Sequence, residues 1–133
     1  MQNNNIKLSI RLIANTPETR EKGLMFTDPL SDDEAAYFVF PRTGSYAFWN
    51  KNVRFALSLA FLDEFGQIVD FADMEADSPK RAAPSSDNVK YVVEANKGLF
   101  KRLGIEKGDL IRYADDNCLY INRMQAAHKY NIR

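Results

Sequence analysis

The chain has 133 residues, a length that suits one domain, and its 45% hydrophobic and 12% aromatic content is ample for a core without disulfide or metal staples. Eighteen Lys and Arg balance eighteen Asp and Glu, which argues against nonspecific nucleic-acid binding, because that binding relies on clustered cations neutralising phosphates. Cys118 is the only cysteine and His128 the only histidine, so neither an internal disulfide, a Cys–His nucleophile pair nor a zinc site is expected. No cofactor is implied. Met1–Asn5 is polar, with no basic stretch leading into an apolar run, and no segment is long enough to cross a membrane. The chain as given is expected to be soluble and cytoplasmic.

Ile6, Leu8, Ile10 and Leu12 alternate with polar residues, the period-2 pattern of a half-buried strand. Thr16-Pro17-Glu18 then predicts a helix start, with Thr as cap, Pro in the first turn and Glu at the positive end of the dipole. Gly23 ends that short helix, and Arg20 near its end complements the dipole. Tyr37–Phe40 is a strand expected to stop at Pro41, and Tyr46–Asn52 is read as extended. Phe55–Leu62 and Gln67–Ala72 flank Asp63-Glu64-Phe65-Gly66, a four-residue hairpin turn. Ser78–Asn88 holds two prolines and small polar residues, which predicts a long surface loop. Val89–Ala95 is a strand, Lys97–Leu103 a short helix stopped by Gly104, and Asp109–Tyr113 with Cys118–Ile121 a last hairpin. In that strand Cys118 reads as a small apolar residue.

The elements predict a mainly β fold, a small closed or nearly closed β-barrel of six to eight short strands with two short helices. Closure would hide strand edges. The whole chain, 1–133, is read as one domain in which 114–133 forms a C-terminal extension. If residues 122–129 are helical, Met124, Ala127 and His128 fall on one side of a short amphipathic turn, able to dock on a partner.

Arg20-Glu21-Lys22-Gly23-Leu24-Met25-Phe26, Phe38-Val39-Phe40-Pro41 and Phe48-Trp49-Asn50-Lys51-Asn52 come in that order. They are followed by Ala60-Phe61-Leu62-Asp63 with Gly66 and Val69, by Tyr91-Val92-Val93-Glu94 with Gly98, and by Gly104-Ile105-Glu106-Lys107-Gly108-Asp109. Over about residues 8–113 this series resembles the family called domain of unknown function 192. The resemblance implies a small β-rich fold and supplies no reaction. Three departures stand out: Asn50 replaces the pattern's Met, Ser58 replaces its Asp, and the loop 74–88 lacks the cysteines some relatives carry. A mechanism that needs a carboxylate at position 58 is therefore in doubt.

Trp49, with Lys51 and Asn52, offers an aromatic platform beside ammonium and amide donors, the chemistry of a groove for a saccharide or polar small molecule. The plainer alternative has Trp49 filling the core and Asn52 tying down a turn through its amide. Glu94, flanked by Val92, Val93 and Ala95, reads as an inward carboxylate in need of a partner, and Lys51 is the expected one. Lys80-Arg81 reads as a solvated basic pair. No catalytic or metal-ligating set is identified. The function expected is a noncatalytic binding or interaction module, with Trp49, Lys51, Asn52 and Glu94 lining a site for a small polar ligand. One alternative is a hydrolase using Glu94 and Lys51, although glycoside hydrolysis usually wants two carboxylates. Another is a structural or assembly protein that docks on a protein partner through aromatic surface and the C-terminal extension. No nucleic-acid or membrane partner is expected.

Overall fold

A computed structural model describes residues 5–124. In chain order these form β1 (Asn5–Ala14), α1 (Pro17–Lys22), β2 (Glu34–Gly44), β3 (Leu57–Leu62), β4 (Ile68–Met74), β5 (Val89–Asn96), α2 (Leu99–Arg102), β6 (Leu110–Ala114) and β7 (Cys118–Asn122). The seven strands make one curled sheet, a half-barrel, in the order β4-β3-β5-β2-β1-β7-β6. Only β1 and β2 run parallel, joined through α1. The mainly β, nearly closed barrel expected from the sequence is the fold observed. The two edge strands meet at one end: Ile111 N–H donates to the Gly66 carbonyl at 2.9 Å, and Ile68 N–H to that of Asp109 at 2.9 Å. Gly66 is required at this seam, because its φ is +85° and a Cβ would lie 2.6 Å from the Ile111 carbonyl oxygen.

Two cores form, one on each face of the sheet. The first draws Leu8, Tyr37, Leu62, Ile68, Val93, Ile111 and Leu119 from all seven strands, with Leu99 and Phe100 of α2, and so fills the barrel interior. The second lies on the other face, where Leu24, Leu30 and Val53 from connecting segments cover Phe38, Leu59, Phe61 and Val92. This is why β3 is buried along its whole length, Leu57-Ser58-Leu59-Ala60-Phe61-Leu62, rather than alternating.

Local signals govern the elements, with informative departures. Thr16 caps α1, its Oγ1 accepting from Thr19 N–H at 3.1 Å. Ile6, Leu8 and Ile10 face the interior, but Leu12 packs on the opposite core, because the β1–β2 register shifts between Ile10 and Leu12. One extra residue in a period-2 strand turns all that follows to the other face. Pro41 does not end β2: it falls where pairing with β5 lapses between Val39 and Gly44, so its missing N–H costs no ladder bond. α2 is shorter than predicted, starting only after Gly98, which sits at φ +86°. Tyr46–Asn52 is not a strand; its only sheet-like contact is a bridge between Phe48 and Ala82.

Residues 114–122 are integral to the sheet, since β7 pairs with both β1 and β6. Cys118 is buried and free. The helix considered for 122–129 falls mostly outside the described residues. Among the described residues no helix is long and apolar enough to cross a membrane, and no group of His, Cys, Asp and Glu could hold a metal ion.

Candidate functional site

A cleft of about 530 Å³ opens on the face of the second core. Its floor is the sheet: Phe38 and Phe40 of β2 and Glu94 of β5. One wall is Arg20–Met25, running from α1. The other is built by the segments around Phe48 and Ala82, which exchange two backbone hydrogen bonds of 2.8 and 2.7 Å. That bridge sets Arg81 beside Trp49, its guanidinium carbon 4.9 Å from the ring centroid.

Glu94 is 4% exposed, on β5, which lies between β2 and β3 in the sheet. Among the described residues no ion pair or side-chain hydrogen bond reaches its carboxyl, and burial alone pushes its pKa up to about 8. Burial disfavours the charged form, so the group is a neutral acid at pH 7, able both to donate and to accept. Asn50, 1% exposed, also lines the cleft. Its amide nitrogen donates to the carbonyls of Phe55 at 2.9 Å and Glu75 at 3.0 Å, which fixes the orientation and leaves the buried Oδ1 without a partner. A buried polar atom left unsatisfied, here Asn50 Oδ1, is a deviation from the ordinary rule for protein interiors, and it shares the cleft with the Glu94 carboxyl.

The rim is aromatic and cationic. Trp49 is 36% exposed, so it does not fill the core. Lys51 Nζ sits 5.5 Å from the Trp49 ring centroid. The Arg20 guanidinium lies 5.2 Å from the centroid of Phe40, which itself stacks on Tyr46 at 3.7 Å, and Arg20 Nη1 donates to the Val39 carbonyl at 2.9 Å.

Of the residues singled out from sequence, Trp49 and Glu94 line the cleft, and Lys51 and Asn52 do not. The expected Lys51–Glu94 pair is not made: Lys51 is exposed and held on Trp49, whereas Glu94 lies at the floor. Asn52 serves the turn through its backbone, with φ +64° and its carbonyl accepting from Phe26 N–H at 3.0 Å. Asn50, Arg20 and Arg81 were missed. Arg20 matches a family motif and Asn50 is a departure from one, while nothing in the basic pair Lys80-Arg81 marks Arg81. Ser58, where the family pattern has Asp, is buried on the opposite face, donating to Asp73 Oδ1 at 2.7 Å and accepting from Gly98 N–H at 3.0 Å.

The chain belongs to the DUF192 family, described as "Uncharacterized ACR", whose model matches residues 1–113. Strand β7 lies beyond the match. Among solved structures, it is similar to a candidate transcription regulator from Sinorhizobium meliloti 1021, at 28% identity and a TM-score of 0.71, covering 80% of this chain and 89% of that one. It is also similar to a protein of unknown function from Novosphingobium aromaticivorans DSM 12444, at 27% identity and a TM-score of 0.73, covering 78% and 75%. Among curated proteins there is no match.

Proposed function

We propose that the protein is a noncatalytic binding module whose cleft takes up a small polar ligand bearing hydroxyl groups. The observation that carries this reading is the meeting in one cleft of the buried Asn50 Oδ1, which has no hydrogen-bond partner, and the neutral carboxyl of Glu94. A hydroxyl donates and accepts in turn, so a ligand hydroxyl can pair with either group, and at the buried Asn50 Oδ1 it removes a cost of about 1–3 kcal/mol. The cleft volume, about 530 Å³, suits a molecule of monosaccharide size. Trp49 serves less as an open stacking platform than as a support for Lys51 and Arg81.

Glu94 also has the property of a general acid poised near neutral pH, which favours the hydrolase reading as second. That reading lacks its other half. Lys51 is not at the carboxyl, and the only other carboxylate lining the cleft is Glu21, exposed on α1. The test is titration with monosaccharides and polyols, followed by amide chemical shifts and by the emission of Trp49, the single tryptophan. Shifts confined to 20–25, 45–50 and Glu94, and abolished in a folded Glu94→Leu variant, are the expected result. Saturable binding that leaves these residues undisturbed would overturn the proposal.

A further inference from the structure

We infer that the ligand of this cleft is a small organic anion, whose carboxylate or phosphate is held by the guanidiniums of Arg20 and Arg81 while its hydroxyls reach Glu94. The inference rests on the reading of the cleft as a ligand site and names the chemistry of what enters it.

The charge distribution is the first ground. The chain as a whole is neutral, but the cleft is lined by Arg20, Lys22 and Arg81 against the acidic residues Glu21 and Glu94, the second of them buried and held neutral. The second ground is how the two cleft arginines are held. Among the described residues, neither Arg20 nor Arg81 has a carboxylate partner. Each is instead laid on a ring, Phe40 and Trp49 respectively. A guanidinium held over a ring face keeps N–H groups for bidentate recognition of a carboxylate or phosphate. Arg20 is further oriented by the bond from Nη1 to the Val39 carbonyl.

The third ground is the floor. An acidic ligand tolerates a carboxyl beneath it only while that carboxyl is protonated. Burial keeps Glu94 neutral below about pH 8, so affinity for an anion should hold through neutral pH and fall as Glu94 ionises. The other charged or titratable groups lining the cleft are Arg20, Glu21 and Lys22 from α1, with Tyr46 and Arg81 from the loops.

The experiment compares three probes of similar size, glucose, glucuronate and glucose 6-phosphate, by calorimetry and amide chemical shifts near neutral pH. Expected is binding of at least one acid about 10-fold tighter than glucose, weakened about 10-fold by Arg81→Gln and by Arg20→Gln, with glucose changed less than about two-fold. The two acids separate a carboxylate site from a phosphate site. Arg81→Lys, which keeps the charge and loses the fork, should recover only part of the acid affinity. Equal binding of acids and glucose in the cleft, or acid affinity indifferent to both arginines, overturns the anion inference and leaves the cleft reading intact. No shift of any cleft residue with any of the three probes overturns both.

Discussion

Replacing Glu94 with Gln is the most informative perturbation, because it keeps the shape of the side chain and removes its titration. In the folded protein burial holds the Glu94 pKa up at about 8, against an ordinary 4.5. A group whose folded pKa is raised binds more protons folded than unfolded between those two values. Stability therefore falls as pH rises through the window from 4.5 to 8 and levels off above it. At about 1.4 kcal/mol per pKa unit, the wild type at pH 7 is about 3 kcal/mol less stable than it would be with a permanently neutral group. Glu94→Gln should consequently be more stable than wild type near neutrality, by an amount that vanishes toward about pH 4 and is largest at about pH 8. Urea unfolding of both proteins at a series of pH values measures this, and the other carboxylates cancel in the difference. A stability difference independent of pH would refute the reasoning. Such a result would mean that Glu94 has a charge partner or solvent access that the geometry denies it. A stabilising substitution that also abolishes ligand binding would identify the carboxyl as a group retained for function at a cost in stability.

Trp49→Ala should destabilise by only about 1 kcal/mol in denaturant unfolding, because the ring lies at a rim; a loss of 3–5 kcal/mol, the cost of a core tryptophan, would contradict its position. Phe61→Ala should cost about 3–5 kcal/mol by the same measurement, since that side chain is fully buried in the second core. Gly66→Ala should destabilise by more than about 1 kcal/mol and speed amide exchange at Ile68 and Ile111, because a Cβ there meets the Ile111 carbonyl across the barrel seam.

Much of the fold was legible because its signals are local. Thr16-Pro17 announces a helix within one turn of chain, and Asp63 with Gly66 announces a hairpin: Asp63 Oδ1 accepts from the N–H groups of Phe65 and Gln67, both at 2.9 Å. What stayed hidden depends on chain far away in sequence. The register shift after Ile10 is fixed by how β1 meets β2, and it sends Leu12 to a different core from Leu8 although the two look equivalent in the pattern. Pro41 reads as a strand end because its missing N–H matters only if the neighbouring strand needs it, and here pairing has already lapsed. The existence of a second core on the outer face follows from connecting segments folding back over the sheet. No periodicity within a single strand announces that.

The site divides along the same line. Glu94 was recognisable as an inward carboxylate from the apolar run around it, and Trp49 from its setting among polar groups. Pairing Glu94 with Lys51 failed because Lys51 lies in a segment that was read as extended and is not a strand. Held at Phe48 by the bridge and at Asn50 by the Ser78 carbonyl, the chain turns after Asn50, and Lys51 folds onto the Trp49 ring. Arg20 had a sufficient local explanation in the helix dipole, and Arg81 in solvation, so neither called for a second one. The bridge from Phe48 to Ala82, with the neighbouring bond from Asn50 N–H to the Ser78 carbonyl, brings Arg81 to the cleft over about thirty residues of intervening chain. A sequence records which polar groups exist; whether a group has been left unsatisfied depends on every neighbour the fold supplies. Asn50 makes the point most sharply. Its nitrogen is satisfied by Phe55 and Glu75, and that satisfaction is what denies its oxygen any other orientation. The fold itself thus leaves Asn50 Oδ1 without a partner, and it is on that atom, beside Glu94, that the proposal of a ligand rests.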